Sequence, residues 1–199
     1  VPRLVPPVLP PGSLSRLAQP VLHEGGLTLR PWAAEDLPAV VAAYSDPAIM
    51  QWHARSMTEP EAQEWIEHWP QRWARESGAG WAVELHGRVS GQISMRHIVL
   101  DEGLVELSYW ILPEARGQGA APAALGALTR WMFEGLGVAR AELCHSTRNQ
   151  ASCRVAVKSG YLPEGTALRQ ALHPDGWHDM HQHARLNSSF HPSHTPTGK

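Results

Sequence analysis

The chain has 199 residues, 43% of them apolar, with 17 basic and 19 acidic side chains and a formal charge of −2. This length supports one domain with a real core, and the balanced charge removes any electrostatic case for nucleic acid or an anionic membrane surface. Two cysteines form no disulfide framework, and neither a secretory leader nor a membrane-spanning apolar run is visible, so a cytoplasmic location is expected.

In chain order, residues 1–26 include Pro2, Pro6, Pro7, Pro10, Pro11 and Pro20 without an amphipathic period. They read as a proline-rich N-terminal extension, either an extended arm or an alternative chain start, ahead of a domain over 27–187. Residues 188–199, SSFHPSHTPTGK, read as a flexible tail. Leu27 to Arg30 is a short strand. Ala34 to Tyr44 is a helix entered through Glu35 and Asp36 and closed by the Ser45-Asp46-Pro47 turn. Thr58 and Glu61 have capping-box spacing, with Pro60 tolerated in the first turn. Trp65, Trp69 and Trp73 follow on one helical face, and Pro70 marks a kink or split. Such a stripe serves a core first. Lining an acceptor pocket together with Trp52 is the second reading.

Trp81, Val83 and Leu85 alternate with less apolar neighbours, Gly87 turns the chain, and a second strand runs from Val89 to Ile98. Leu104 to Leu112 is a third strand. A helix opened at Ala120 presents Leu125, Leu128, Met132 and Leu136, and Gly137 ends it. Ala139 to His145 is a strand and Asn149 to Ser159 a short helix stopped by Gly160. Tyr161 begins a last extended region whose Asp175-Gly176 pair is a hairpin turn. The order specifies an α/β fold with a mixed sheet flanked by helices.

Between the third strand and the long helix lies ARGQGAAP, Ala115 to Pro122. Glycines before a helix N-terminus let an anion approach unpaired backbone N–H groups at the positive end of the helix dipole. The run matches neither the triphosphatase loop nor the dinucleotide fingerprint. Its residues alone leave an anion cradle and a plain tight connection both open.

ELSYWILPEARGQGAAPAALGALTRWMFEGLGVARAELCHSTRNQASCRVAVKSGYLPEG resembles the GCN5-related N-acetyltransferase superfamily, in the branch of the ribosomal-protein N-terminal acetyltransferases. Arg116, Gly119 and Ala121 fit its Arg/Gln-x-x-Gly-x-Gly/Ala acyl-CoA motif. Asn149, Ser152, Arg154, Lys158, Gly160 and Tyr161 fit the branch's second motif. The resemblance implies a GNAT-like, partly splayed sheet and acetyl-CoA as acyl-donor cosubstrate. The strand end at Trp110, Ile111 and Leu112 would offer backbone groups to pantetheine. The turn of Arg116, Gly117, Gln118, Gly119, Ala120 and Ala121 would hold the diphosphate. Asn149 would reach the pantetheine arm, a role its chemistry shares with N-capping. Ser152 would lie near the thiol. Many relatives carry a tyrosine acid seven residues after the asparagine; here that position is Ala156.

Transfer to an amine needs a base and stabilisation of the departing thiolate. Glu106 is the preferred base on its strand, against the alternative of an ion pair on the other sheet face. His97 and His145 are secondary, Cys144 and Cys153 read as small buried hydrophobes, and Tyr161 is assigned to packing. His181 and His183 share a strand face while His178 lies opposite, so no metal site is expected. The implied activity is N-acetyl transfer to an amine of a protein N-terminus or small molecule, with a homodimer as a further possible partner. Succinyl or another acyl donor, and an inactive acyl-CoA-binding regulator, are the alternatives. Amine-dependent thiol release separates an enzyme from that regulator.

Overall fold

A computed structural model describes residues 4–190. Eight strands form one sheet: β1 (Leu22–Glu24), β2 (Leu27–Pro31), β3 (Ala79–Leu85), β4 (Arg88–Val99), β5 (Leu104–Ile111), β6 (Arg140–Ser146), β7 (Leu162–His173) and β8 (Gly176–Leu186). Their spatial order is β1-β2-β3-β4-β5-β6-β8-β7. Every pairing is antiparallel except β5 with β6. That parallel ladder runs only from Leu104↔Arg140 to Leu107↔Leu143. β5 then continues to Ile111 and β6 to Ser146, so the two strands part and leave an open notch at the centre of the sheet.

Helices cover both faces. Helix α4 (Ala120–Trp131) buries Leu125 and Leu128 against the strands, each contributing about 1.5–3 kcal/mol of apolar burial. The opposite face is covered by α1 (Leu37–Ala43), α2 (Pro47–His53) and α3 (Glu59–Ala74), around Trp32, Tyr44, Ile66, Trp69 and Trp110. Helix α5 (Gln150–Lys158) closes the notch from the α4 side, with Ala156 in the same cluster as α4. Gly80 is required here: a Cβ on it would stand 2.5 Å from Trp69 Cδ2, so only glycine lets α3 settle on β3. Among the described residues no helix is long and apolar enough to cross a membrane.

Two elements differ from the sequence reading. The Asp46-Pro47 pair ends one helix and starts another: the Asp46 carboxylate accepts from Ile49 N at 2.9 Å and Pro47 occupies the first turn, giving the unforeseen helix α2. Pro70 neither splits nor stops α3, which runs unbroken to Ala74 because packing of Ile66, Trp69 and Trp73 outweighs one lost hydrogen bond.

The described part of the proline-rich segment lies against the domain. Leu9 and Leu14 are buried in the main core, and Val8 and Leu9 N–H groups donate to Asp101 O and Leu100 O. The Glu76 carboxylate accepts from the N–H groups of Gly12 and Leu14 at 2.7 Å and of Ser15 at 3.2 Å. Burial would raise the Glu76 pKa, but these three amides outweigh it and hold the carboxyl below its ordinary value. A depressed pKa contributes stability above the unfolded value of 4.5 that is lost as pH falls through the folded value. Glu76→Gln is therefore expected to cost on the order of 2 kcal/mol at pH 7 and to open residues 9–17 to limited proteolysis. The difference between variant and parent should shrink in acid, which paired melting curves at pH 7 and pH 3 would check. The segment of the expected tail beyond Phe190 lies outside the described residues.

Candidate active site

The notch is flanked by the two motif segments. Where β5 has parted from β6, its outward edge at Tyr109 and Ile111 has no strand partner among the described residues. Two side chains take its carbonyls instead: His53 Nε2 donates to Tyr109 O at 3.2 Å and Arg116 Nε to Ile111 O at 3.0 Å. Burial pushes the His53 imidazole down to about 4, so it stays neutral near pH 7 with its proton on Nε2. Past Leu112, Gly119 takes φ 79° as the N-cap of α4, a conformation that favours glycine. Among the described residues, no protein acceptor meets the N–H groups of Gly117, Gln118, Gly119, Ala120 and Ala121. A helix start with open amides is an anion site.

A cavity of about 640 Å³ runs from this turn to the notch. Trp110, Ile111, Arg116, Gly117, Gly119, Ala120, Ala121, Asn149 and Ser152 line it. Leu112 and Gln118 do not. Leu112 is buried on the opposite face with its N–H given to Ser90 O, and the Gln118 side chain folds back onto Glu114 O. Arg116 lends its backbone turn rather than a free cation, for its guanidinium also binds Asp46 at 2.8 Å and so ties α2 to the end of β5. Burial would raise the Asp46 pKa, yet the Arg116 and backbone hydrogen bonds prevail and keep it low. The cations facing the cavity come instead from Arg154 and Lys158, one turn apart on α5. Asn149 caps α5, its Oδ1 accepting from Ser152 N at 3.0 Å.

A second cavity, of about 380 Å³, lies on the α1–α3 side and shares Trp52, His53, Tyr109, Asn149 and Ser152 with the first. At this junction the Tyr109 hydroxyl and Ser152 Oγ are hydrogen-bonded at 2.8 Å, joining β5 to α5 across the notch. Burial pushes the Tyr109 phenol up to about 12. Ala156 is buried in the core, and the phenol at this junction stands on β5 rather than on α5. Sequence reading passed over Tyr109 because it followed the Glu106, Ser108, Trp110 face. The clue was the aromatic one residue out of step.

Glu106 is not brought to either cavity. It sits where β5 and β6 are still paired, opposite Glu142, and its carboxylate is held by Arg96 at 3.3 Å. Arg96 can reach it because it is the extra residue of a bulge between Met95 and His97. His97 is exposed on the surface, whereas His145 is buried and lines the second cavity, its pKa lowered by burial. Trp65 and Trp69 line that cavity, while Trp73 is core, packed on Trp81 and Trp131. Tyr161 is fully buried and bonded to Thr129, as expected of a packing residue. Both cysteines are half-buried rather than buried. The expectation of no metal site weighed the 178–183 run alone. The structure brings His145 from β6 and Cys153 from α5 to the face shared by His181 and His183, so four donor atoms lie within 4.8 Å of one another.

Comparison with known proteins agrees with this architecture. The acetyltransferase (GNAT) domain model matches residues 26–162. An uncharacterized N-acetyltransferase of Bacillus subtilis (strain 168), YoaA, is 26% identical over 161 residues, spanning 79% of this chain and 90% of its own. The ribosomal-protein-S5-alanine acetyltransferase from Vibrio fischeri superposes with a TM-score of 0.78 at 16% identity, over 87% of this chain and 100% of that one. The ribosomal L7/L12 alpha-N-protein acetyltransferase RimL, in complex with coenzyme A, does so with a TM-score of 0.77 at 19% identity, over 84% and 98%. At these identities the structures establish a shared fold. The splayed sheet, the glycine turn before α4 and a family match over more than half the sequence converge: the chain belongs to the acetyltransferase (GNAT) domain family.

Proposed function

We propose that the chain transfers an acetyl group from acetyl-CoA directly to a primary amine. The observation that carries this reading is the meeting of two cavities at the Tyr109–Ser152 hydrogen bond, so that a donor in one and an acceptor in the other can touch there. The donor cavity fits acetyl-CoA by its chemistry: open amides from Gly117 to Ala121 and the cations of Arg154 and Lys158 suit a diphosphate, and the unpartnered edge of β5 suits an amide-bearing arm. RimL has been solved with coenzyme A, and microcin C7 self-immunity acetyltransferase MccE, another structural relative, with acetyl-CoA and AMP. Acetyl-CoA supplies an acyl group already activated as a thioester, so no covalent enzyme intermediate is required. Tyr109 and Ser152 hold hydroxyl protons where negative charge develops on sulfur.

The acceptor cavity is lined by Arg55, Arg72 and Arg96 and by no carboxylate among the described residues. That favours an amine carried on an anionic body, an acidic peptide terminus or a small acid, over a polycation. The groups on this wall able to take the amine's proton are imidazoles. His173 gives Nδ1–H to Gln51 O at 2.8 Å, which leaves a lone pair on an unpartnered Nε2.

Release of free CoA thiol from acetyl-CoA across an amine panel tests the proposal. Turnover should depend on the amine and favour acceptors bearing a neighbouring carboxylate or phosphate. Arg55→Gln should raise KM for those acceptors about tenfold while leaving KM for acetyl-CoA unchanged. Saturable acetyl-CoA binding without thiol release for any amine would instead identify a binding protein.

A further inference from the structure

Two buried histidines, His145 on β6 and His183 on β8, face each other with their Nε2 atoms 3.2 Å apart. Their other ring nitrogens are already committed: His145 Nδ1 lies 2.8 Å from Ser146 O and His183 Nδ1 lies 3.2 Å from Tyr161 O. A carbonyl only accepts, so each Nδ1 must carry its proton. Both Nε2 atoms then present lone pairs to each other. Three contacts ask for a proton, and two neutral imidazoles hold only two. An imidazolium would supply the third, but no carboxylate pairs with either ring among the described residues, and an unpaired buried charge is costly.

A third ring points to the same answer. His181, next but one along β8, has its Nδ1 buried with no hydrogen-bond partner. Cys153 Sγ, on the first turns of α5, completes the group, all four donor atoms lying within 4.8 Å of one another. Two nitrogens 3.2 Å apart, each bound at about 2.0–2.1 Å, subtend about 100° at a shared ion, near the tetrahedral angle. The Nδ1–H···O=C bonds of His145 and His183 are the outer contacts that orient metal-binding imidazoles.

We propose that His145, Cys153, His181 and His183 form a zinc(II) site of three imidazoles and one thiolate. Four protein ligands leave no open position, so the ion is structural and takes no part in acyl transfer. On binding, the Cys153 thiol proton leaves to solvent and the imidazoles stay neutral. The ion would fasten β6, β8 and the first turn of α5 into one unit on the far side of the notch. That turn carries Asn149 and Ser152, so the metal holds one wall of the active site in register.

The test uses the full chain, purified without a metal-affinity resin. Elemental analysis should find about one zinc per chain. After chelator treatment, titration with cobalt(II) should give the visible bands of a tetrahedral ion and a near-ultraviolet thiolate-to-metal band, saturating at about one equivalent. Cys153→Ser should abolish the thiolate band, and His183→Ala should remove stoichiometric binding. His97→Ala, on an exposed histidine outside the cluster, should change neither. Zinc added to the stripped chain should raise its melting temperature, and should not do so for Cys153→Ser. If His183→Ala does not fold, the Cys153→Ser spectrum decides alone. No tetrahedral cobalt spectrum from the folded, stripped chain, or one that keeps its thiolate band in Cys153→Ser, would overturn the proposal.

Discussion

Tyr109→Phe lowers kcat about 10- to 100-fold and changes KM for acetyl-CoA by less than about twofold. The hydroxyl stands at the junction of the two cavities, 2.8 Å from Ser152 Oγ, where the thioester sulfur must lie if donor and acceptor are to meet. With its pKa pushed up to about 12 by burial, the phenol remains protonated through the neutral range. A simple thiol has a pKa near 8.5, so handing over the whole proton is uphill by about 5 kcal/mol. In the proposed reaction the phenol would therefore act as a hydrogen-bond donor to charge building on sulfur, and such a bond to a charged group contributes about 1.5–3 kcal/mol. That contribution exists mainly in the transition state, so the loss falls on kcat. Because the phenol does not titrate below about pH 10, the deficit should be constant from pH 6 to 9.

Ser152→Ala should give a deficit of the same kind. The double variant should fall short of the product of the two, since each hydroxyl orients the other. Steady-state kinetics of the three variants would check this. Equal kcat in wild type and Tyr109→Phe would remove the phenol from the chemistry.

Ala121→Glu raises KM for acetyl-CoA about 10- to 100-fold and leaves the fold intact. Ala121 is half-buried in the first turn of α4 and lines the donor cavity, one residue after the buried Ala120. A carboxylate at a helix N-terminus is favourable for the helix itself, by about 0.3–1 kcal/mol, so stability should hold or rise slightly. The same carboxylate would occupy the potential that open amides and the α5 cations provide for a diphosphate. At an effective dielectric near 20, a like-charge pair about 5–6 Å apart repels by about 3 kcal/mol, of which solvent leaves a part. Ala121→Gln separates size from charge: it should raise KM less than about threefold. Isothermal titration with CoA and a melting curve would score both effects, and a KM equally raised by Gln and Glu would mean crowding rather than charge.

The divide between what was readable in the residues and what was not follows the range of each interaction. Capping chemistry at Thr58 and Glu61, the alternation of β3 between the two sheet faces and the apolar spacing of α4 are local, set by neighbours within a few positions, and each appears where the sequence puts it; the hairpin before β8 also forms, but its loop is Pro174-Asp175, with Gly176 already paired to His173. The glycine turn before α4 was legible for the same reason, since glycine before a helix start has a local backbone consequence. Long-range partners left no such mark. Arg116 reads as a phosphate cation until Asp46, 70 residues away, claims it. Glu106 reads as a base until a bulge in β4 delivers Arg96 to it. Tyr109 and Ser152 have no sequence relation, and only the parting of β5 from β6 beyond Leu107 sets one hydroxyl against the other. His145 and Cys153 reach His181 and His183 by the same route, through the β6–β8 pairing and the seat of α5. The sequence by itself determined most of the elements and the glycine turn before α4, because those are written in backbone propensities. Tertiary structure decided which side chains are free to act, because pairing and burial consume some polar groups and strand the rest.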